Sequence, residues 1–174
     1  GCGDIGGKLG VHLKKLGHQI WGIRRNINAL PAEISPIQAD ITHPLDPTII
    51  PPKIDTIYFT AAASQRTPEA YNACYVNGIK NLTTSIRSSS HVQRLFFVSS
   101  TSVYSQTEGE WVTEDSQTHP THFTGQHMLA AEAIVSNSKW LSTCVRFGGI
   151  YGPNRAHLVN QVIEERALLK PPAP

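Results

Sequence analysis

The chain has 174 residues, 40% of them hydrophobic and 16% charged, with a formal net charge of +2 at pH 7. These are the proportions of one folded domain, not of a disordered segment, and the charge is too small for a nucleic-acid footprint. No run approaches the ~18 apolar residues of a membrane span. The cysteines, Cys2, Cys74 and Cys144, show no metal-ligand spacing, so no metal is expected and reduced thiols in a cytoplasmic protein are the simplest expectation.

The chain opens on Gly1-Cys2-Gly3-Asp4-Ile5-Gly6, a G-x-G-x-x-G pattern followed by Gly7. From Ile5, apolar residues recur at Leu9, Leu13 and Leu16, one face of a helix. Gly17 stands where a helix C-terminal stop is expected, and Gln19 to Ile23 then reads as a short buried strand. Glycine loop, helix and strand make the first half of a dinucleotide-binding unit. Glycines suit that loop because a pyrophosphate must reach backbone N–H groups at a helix N-terminus, where a Cβ would collide and the dipole favours anions. Such a loop follows a strand, so the central strand of the sheet is expected before residue 1, and the chain is read as a fragment.

Arg24-Arg25-Asn26 comes next, where a carboxylate would accept hydrogen bonds from an adenosine ribose and select NAD. Arginine suits the extra 2′-phosphate instead, so the expected cofactor is NADP in preference to NAD. Pro36 to Asp40 reads as a third short strand. Asp40 at its end would lie beside an adenine or cap the following turn.

Ile54 to Ala61 is a clear strand that ends in the small residues Ala61, Ala62 and Ala63, leaving room for a ligand in the crevice. Thr67-Pro68-Glu69 starts a helix carrying Tyr71, Cys74, Tyr75, Gly78, Ile79 and Leu82. Gln93 to Ser100 is another strand, followed by a polar loop over 105–119. His122 to Val135 is a helix, Thr143 to Phe147 a strand, and the last helix runs from His157 to Leu169. Asn81-Leu82-Thr83 matches a glycosylation acceptor by chance, since it falls within a helix. Strands alternating with helices predict an α/β fold, a Rossmann-type doubly wound parallel sheet. The expected organisation is a dinucleotide-binding domain over 1–153, with 154–174 the start of a truncated substrate region.

The motifs Gly1-x-Gly3-x-x-Gly6, Asp40-Ile41, Thr60-Ala61-Ala62-Ala63, Val76-Asn77-Gly78, Phe97-Val98-Ser99-Ser100-Thr101-Ser102-Val103-Tyr104 and Arg146-Phe147-Gly148-Gly149-Ile150-Tyr151-Gly152-Pro153 occur in this order. Together they resemble the extended short-chain dehydrogenase/reductase superfamily, which includes NAD(P)-dependent sugar-nucleotide epimerases and dehydratases. The resemblance implies that Ser100, with Thr101 its neighbour, hydrogen-bonds the reacting oxygen and that Asn77 braces the middle of the site. For Ser100 a local backbone bond is an equal reading. A small-molecule partner is implied, a nucleotide sugar or carbonyl compound, with no nucleic acid and no membrane, and with room for a homodimer.

The departure is as informative as the match. The family's Tyr-Gly-x-x-Lys stretch is here Thr124-Gly125-Gln126-His127-Met128, with Leu129 and Glu132 holding the alignment. Thr124 stands where the Tyr belongs and Met128 where the Lys belongs, four apart on one helical face expected to look into the site. A Tyr serves as general acid/base because the Lys charge lowers its pKa. An aliphatic hydroxyl ionises far less readily, and Met128 offers neither charge nor hydrogen bond. His127 or His122 is a substitute proton carrier by chemistry, with Tyr104 and Tyr151 behind them. The sequence thus resembles the atypical branch lacking the active-site Tyr. It suggests an NADP-binding, oxidoreductase-like protein, alternatively a nucleotide sensor without turnover, or an epimerase or dehydratase with a different acid/base.

Overall fold

The computed structural model describes residues 1–86, 91–106, 108–152 and 155–166. Helix α1, Asp4–Lys15, follows the glycine loop directly, and Gly17 takes φ +92°, the left-handed conformation that a helix stop favours. Strand β1, Trp21–Arg24, pairs in parallel with β2, Ser35–Gln38, placing Ile23 opposite Ile37. A second sheet has the order β3-β4-β5, from Thr56–Phe59, Arg94–Ser100 and Leu141–Phe147, again all parallel. The parallel α/β expectation holds.

Between the sheets, β1 and β3 bound a cavity of about 800 Å³ lined by Gly22, Ile23, Ile57, Phe59, Leu82 and Ile86. Gly1 also lines it. This is where the central strand of a doubly wound sheet is expected.

The core lies on the face of β3-β4-β5 covered by α3, Gly78–Ser85, and α4, Phe123–Ser136. Buried and half-buried positions alternate along β4 and send Leu95, Phe97 and Ser99 to one face, as the two-residue period of a strand requires. The Phe97 ring packs 5.5 Å from that of Phe59, and burying each is worth about 2 kcal/mol. Helix α4 answers with Met128, Ala131, Glu132 and Val135, spaced to share one face.

The helix expected from Thr67 is broken into three. Thr67 caps α2, Pro68–Tyr71, by accepting from the Ala70 N–H at 3.2 Å. A π-helical turn, Asn72–Asn77, follows before α3 begins. The final helix α5 spans His157–Ile163, while 164–166 leave it and the remainder of the expected helix lies outside the described residues.

Candidate dinucleotide and catalytic site

The glycine loop is shaped by contact with the end of β3. A Cβ at Gly1 would lie 2.2 Å from the Ala61 Cα, and one at Gly6 would lie 2.4 Å from both the Gly1 oxygen and the Thr60 Oγ. The Thr60 hydroxyl also donates to the Gly1 oxygen, pinning loop to strand. Gly3 differs. Among the described residues no atom beyond its chain neighbours comes within 4 Å of a Cβ built there, and no side chain caps α1, whose N-cap is Gly3. An uncapped helix N-terminus with open space before it fits a pyrophosphate, so these residues suit a dinucleotide. Asp4 beside it is paired with Lys8 at 2.8 Å and Arg155 at 2.7 Å, and Lys8 first, then Arg155, hold its carboxyl below the usual carboxylate range.

The two arginines after β1 have different surroundings. Arg24 donates to the backbone oxygens of Cys2 and Ala29, both at 2.9 Å, and so ties the glycine loop to the segment after β1. Arg25 is exposed, 3.9 Å from the Asp40 carboxylate. Asp40 takes the turn-capping role: its Oδ1 accepts from the Thr42 N–H at 3.0 Å and the Thr42 hydroxyl at 2.8 Å. The Thr42 backbone bond is the main reason its carboxyl is held low. Ile41 is fixed from the other side, because the Asn81 amide donates to its oxygen at 2.9 Å. That bond occupies the side chain of the chance glycosylation match.

At the far end of β3, Ala61 and Ala63 are half-buried and Ala62 exposed. The Ala63 N–H donates to the Tyr75 hydroxyl at 3.4 Å, a residue that sequence reasoning placed only within a helix. Burial pushes the Tyr75 phenol up to about 12, so it keeps its proton at neutral pH. Asn77, expected to brace the site, is exposed at the end of the π-helical turn.

Ser100 ends β4, and its Oγ accepts from the Ser102 N–H at 3.1 Å, starting the short turn Thr101–Val103. This is the local backbone bond anticipated for it, and it leaves the hydroxyl proton available. Helix α4 begins hard against that turn: a Cβ at Gly125 would sit 2.0 Å from the Ser102 oxygen. Thr124 is thereby buried at 7% exposure, with its hydroxyl 2.9 Å from His122 Nδ1. Met128 does not share an open face with it. It is 4% exposed and belongs to the apolar core with Val103 and Ala131. His127 packs edge-on to Phe123 instead of meeting Thr124. Tyr104 is committed elsewhere, donating to the Thr113 oxygen at 2.9 Å and accepting from Arg146 at 3.0 Å. Tyr151 is 80% exposed.

Behind the site runs a buried polar network that sequence reasoning missed. Arg146 on β5 forks onto Glu132 of α4 at 3.0 and 2.8 Å, and the Ser99 hydroxyl donates to the same carboxylate at 2.5 Å. The guanidinium also faces the Tyr104 ring at 5.1 Å. The bonds that Arg146 donates to Glu132 are the main cause of an arginine pKa above its ordinary value. A signal was present: Glu132 sits within an otherwise apolar helix face, and a buried carboxylate needs a cation. Among the described residues no group of three or more His, Cys, Asp or Glu could hold a metal ion. No helix among them is long and apolar enough to cross a membrane.

Comparison with known proteins agrees with this geometry. Residues 1–170 match the profile of the NAD dependent epimerase/dehydratase family, and the chain belongs to that family. A protein from Methylobacillus flagellatus assigned as an NAD-dependent epimerase/dehydratase is 35% identical over 92% of this chain, with a TM-score of 0.73. The UDP-glucuronic acid 4-epimerase of Bacillus cereus, solved with NAD, is 22% identical over 95% of the chain, with a TM-score of 0.75. The WbmG enzyme of Bordetella bronchiseptica, solved with NAD and UDP, is 21% identical over 96%, with a TM-score of 0.71. At these last two identities the likeness speaks for the fold. The chain spans 56%, 62% and 58% of the length of these three structures. No curated protein matches it.

Proposed function

We propose that this chain is the dinucleotide-binding part of an oxidoreductase-like protein of the epimerase/dehydratase type that takes NADP(H). The observation that carries the reading is the loop Gly1–Gly6. It is pressed onto β3 at Gly1 and Gly6 yet open at Gly3, before an uncapped helix N-terminus. Gly3, Asp4, Ile5 and Gly6 would offer the pyrophosphate their N–H groups. Ala61, Ala62 and Ala63 would leave space for the rest of the dinucleotide. Asn77 and Asp40 would flank it. When bound, the nicotinamide supplies hydride chemistry. The preference for NADP rests on Arg25, whose exposed guanidinium at the end of β1 suits a 2′-phosphate, while Arg24 holds the loop. The substrate would be a carbonyl compound or nucleotide sugar whose oxygen meets the free proton of Ser100.

Fluorescence titration of the full-length protein with NADPH and NADH tests this. Tighter binding of NADPH is expected. Equal affinities would remove the role given to Arg25, and no binding of either would remove the dinucleotide itself.

A second reading, nucleotide binding without turnover, is favoured by one observation: Met128, at the position of the family's Lys, is packed into the core. NADPH binding with no oxidation in the presence of any carbonyl or nucleotide sugar would select it.

A further inference from the structure

The start of α4 carries an arrangement that its place in the helix does not require. His122 is the N-cap residue, and its Nδ1 lies 3.4 Å from the Thr124 N–H and 2.9 Å from the Thr124 hydroxyl. Ser, Thr, Asp, Asn and Gly are the favoured residues for that position; an imidazole is an unusual choice. A backbone N–H can only donate, so Nδ1 is the acceptor and neutral His122 carries its hydrogen on Nε2. The Thr124 hydroxyl then also donates to Nδ1. Thr124 is buried at 7% exposure and His122 is exposed, so the imidazole links an enclosed hydroxyl to solvent. The Phe123 ring, 4.4 Å from the imidazole, steadies it, with Tyr71 and His127 on the ring's other sides. Gly125 seats this end of the helix against the turn that Ser100 begins.

We propose that His122 and Thr124 form a hydroxyl–imidazole proton relay that replaces the family's Tyr and Lys. The proposal rests on the dinucleotide reading above. In carbonyl reduction, NADPH gives a hydride to the substrate's carbonyl carbon and the C=O π pair moves onto the oxygen. Protonation at Nδ1 ends its acceptance from the Thr124 N–H and reverses the hydroxyl bond. Thr124 therefore passes its hydroxyl proton to the substrate oxygen while His122 returns its Nδ1 proton to the Thr124 oxygen. The two transfers occur together, so no threonine alkoxide forms. The products are the alcohol, NADP⁺ and neutral His122, which takes up one proton from solvent to restore the relay, so each turnover consumes one proton. Ser100 donates to the same substrate oxygen and holds it in place. Alcohol oxidation runs the steps in reverse.

Two measurements on the full-length protein decide it. In ¹⁵N NMR of the histidine side chains, His122 is expected to show an unprotonated, hydrogen-bonded Nδ1. Thr124→Val should move that resonance and leave His127 in place. In single-turnover oxidation of bound NADPH with small aldehydes and ketones, His122→Asn retains a good N-cap and should bind NADPH as the wild type does. Its rate of oxidation should fall about 100-fold, within the range for a lost general acid. Thr124→Val should fall alike, and Thr124→Ser should recover most of the rate. A wild-type rate in His122→Asn, a proton on Nδ1 of the neutral ring, or no NADPH oxidation by the wild type overturns the relay. Failure of the wild type to bind NADPH at all is the separate signature of a wrong dinucleotide reading.

Discussion

A Cβ added at Gly3 would meet none of the described atoms beyond its chain neighbours within 4 Å, whereas one at Gly6 would meet the Gly1 oxygen at 2.4 Å. Two glycines of one motif therefore serve different ends, and substitution separates them. Gly3→Val should leave the thermal midpoint within a few degrees of wild type while weakening NADPH binding at least ten-fold, read by titration. Gly6→Ala should lower the midpoint clearly, because backbone cannot move aside as a flexible side chain can. The arginines divide the same way. Arg25→Ala should reduce the preference for NADPH over NADH about ten-fold, a loss of about 1.4 kcal/mol, with stability unchanged. Arg24→Ala should instead cost about 2 kcal/mol of stability, since its charge-assisted bonds hold two carbonyls. The glycine spacing and the absent carboxylate were legible in the sequence. The division between Arg24 and Arg25 was not, because it depends on where the Cys2 and Ala29 oxygens come to lie.

Helix α4 and strand β5 show where element-scale reading succeeds and where it stops. Apolar periodicity located α4 to within one residue at each end, since a buried helix face must repeat about every 3.6 residues. It could not say that Met128 would turn into the core or that Glu132 would find Arg146, which lies on another element. The π-helical turn at Asn72–Asn77 left no propensity signal either, as residue preferences do not distinguish it from a continuous helix. The Glu132–Arg146 pair allows a sharp test by urea unfolding. Glu132→Ala strands a largely buried guanidinium and should cost about 3 kcal/mol, whereas replacing both residues with methionine should cost far less. Strand β5 also carries Cys144, whose thiol burial pushes from 9.0 to about 11, as it does that of Cys74 on the π-helical turn. The folded state holds these protons more tightly than the unfolded chain. Their stabilising contribution is thus complete below about pH 9 and lost as pH rises through about 11. The urea midpoint should fall between pH 8.5 and 10.5, and fall less in Cys144→Ala.

For the molecule as a whole, the alternation of strands and helices made the parallel architecture legible, because parallel neighbours need crossover connections. What periodicity could not supply was how the glycine loop is held. Arg24 of β1 donates to the Cys2 oxygen at 2.9 Å, and Thr60, just after β3, donates to the Gly1 oxygen. The N–H groups before α1 are thus anchored through two neighbours that touch no ligand themselves. Thr60→Val in the full-length protein should weaken NADPH binding several-fold, read by fluorescence titration. The glycines leave the loop room, and a distant arginine and threonine decide whether it keeps its shape.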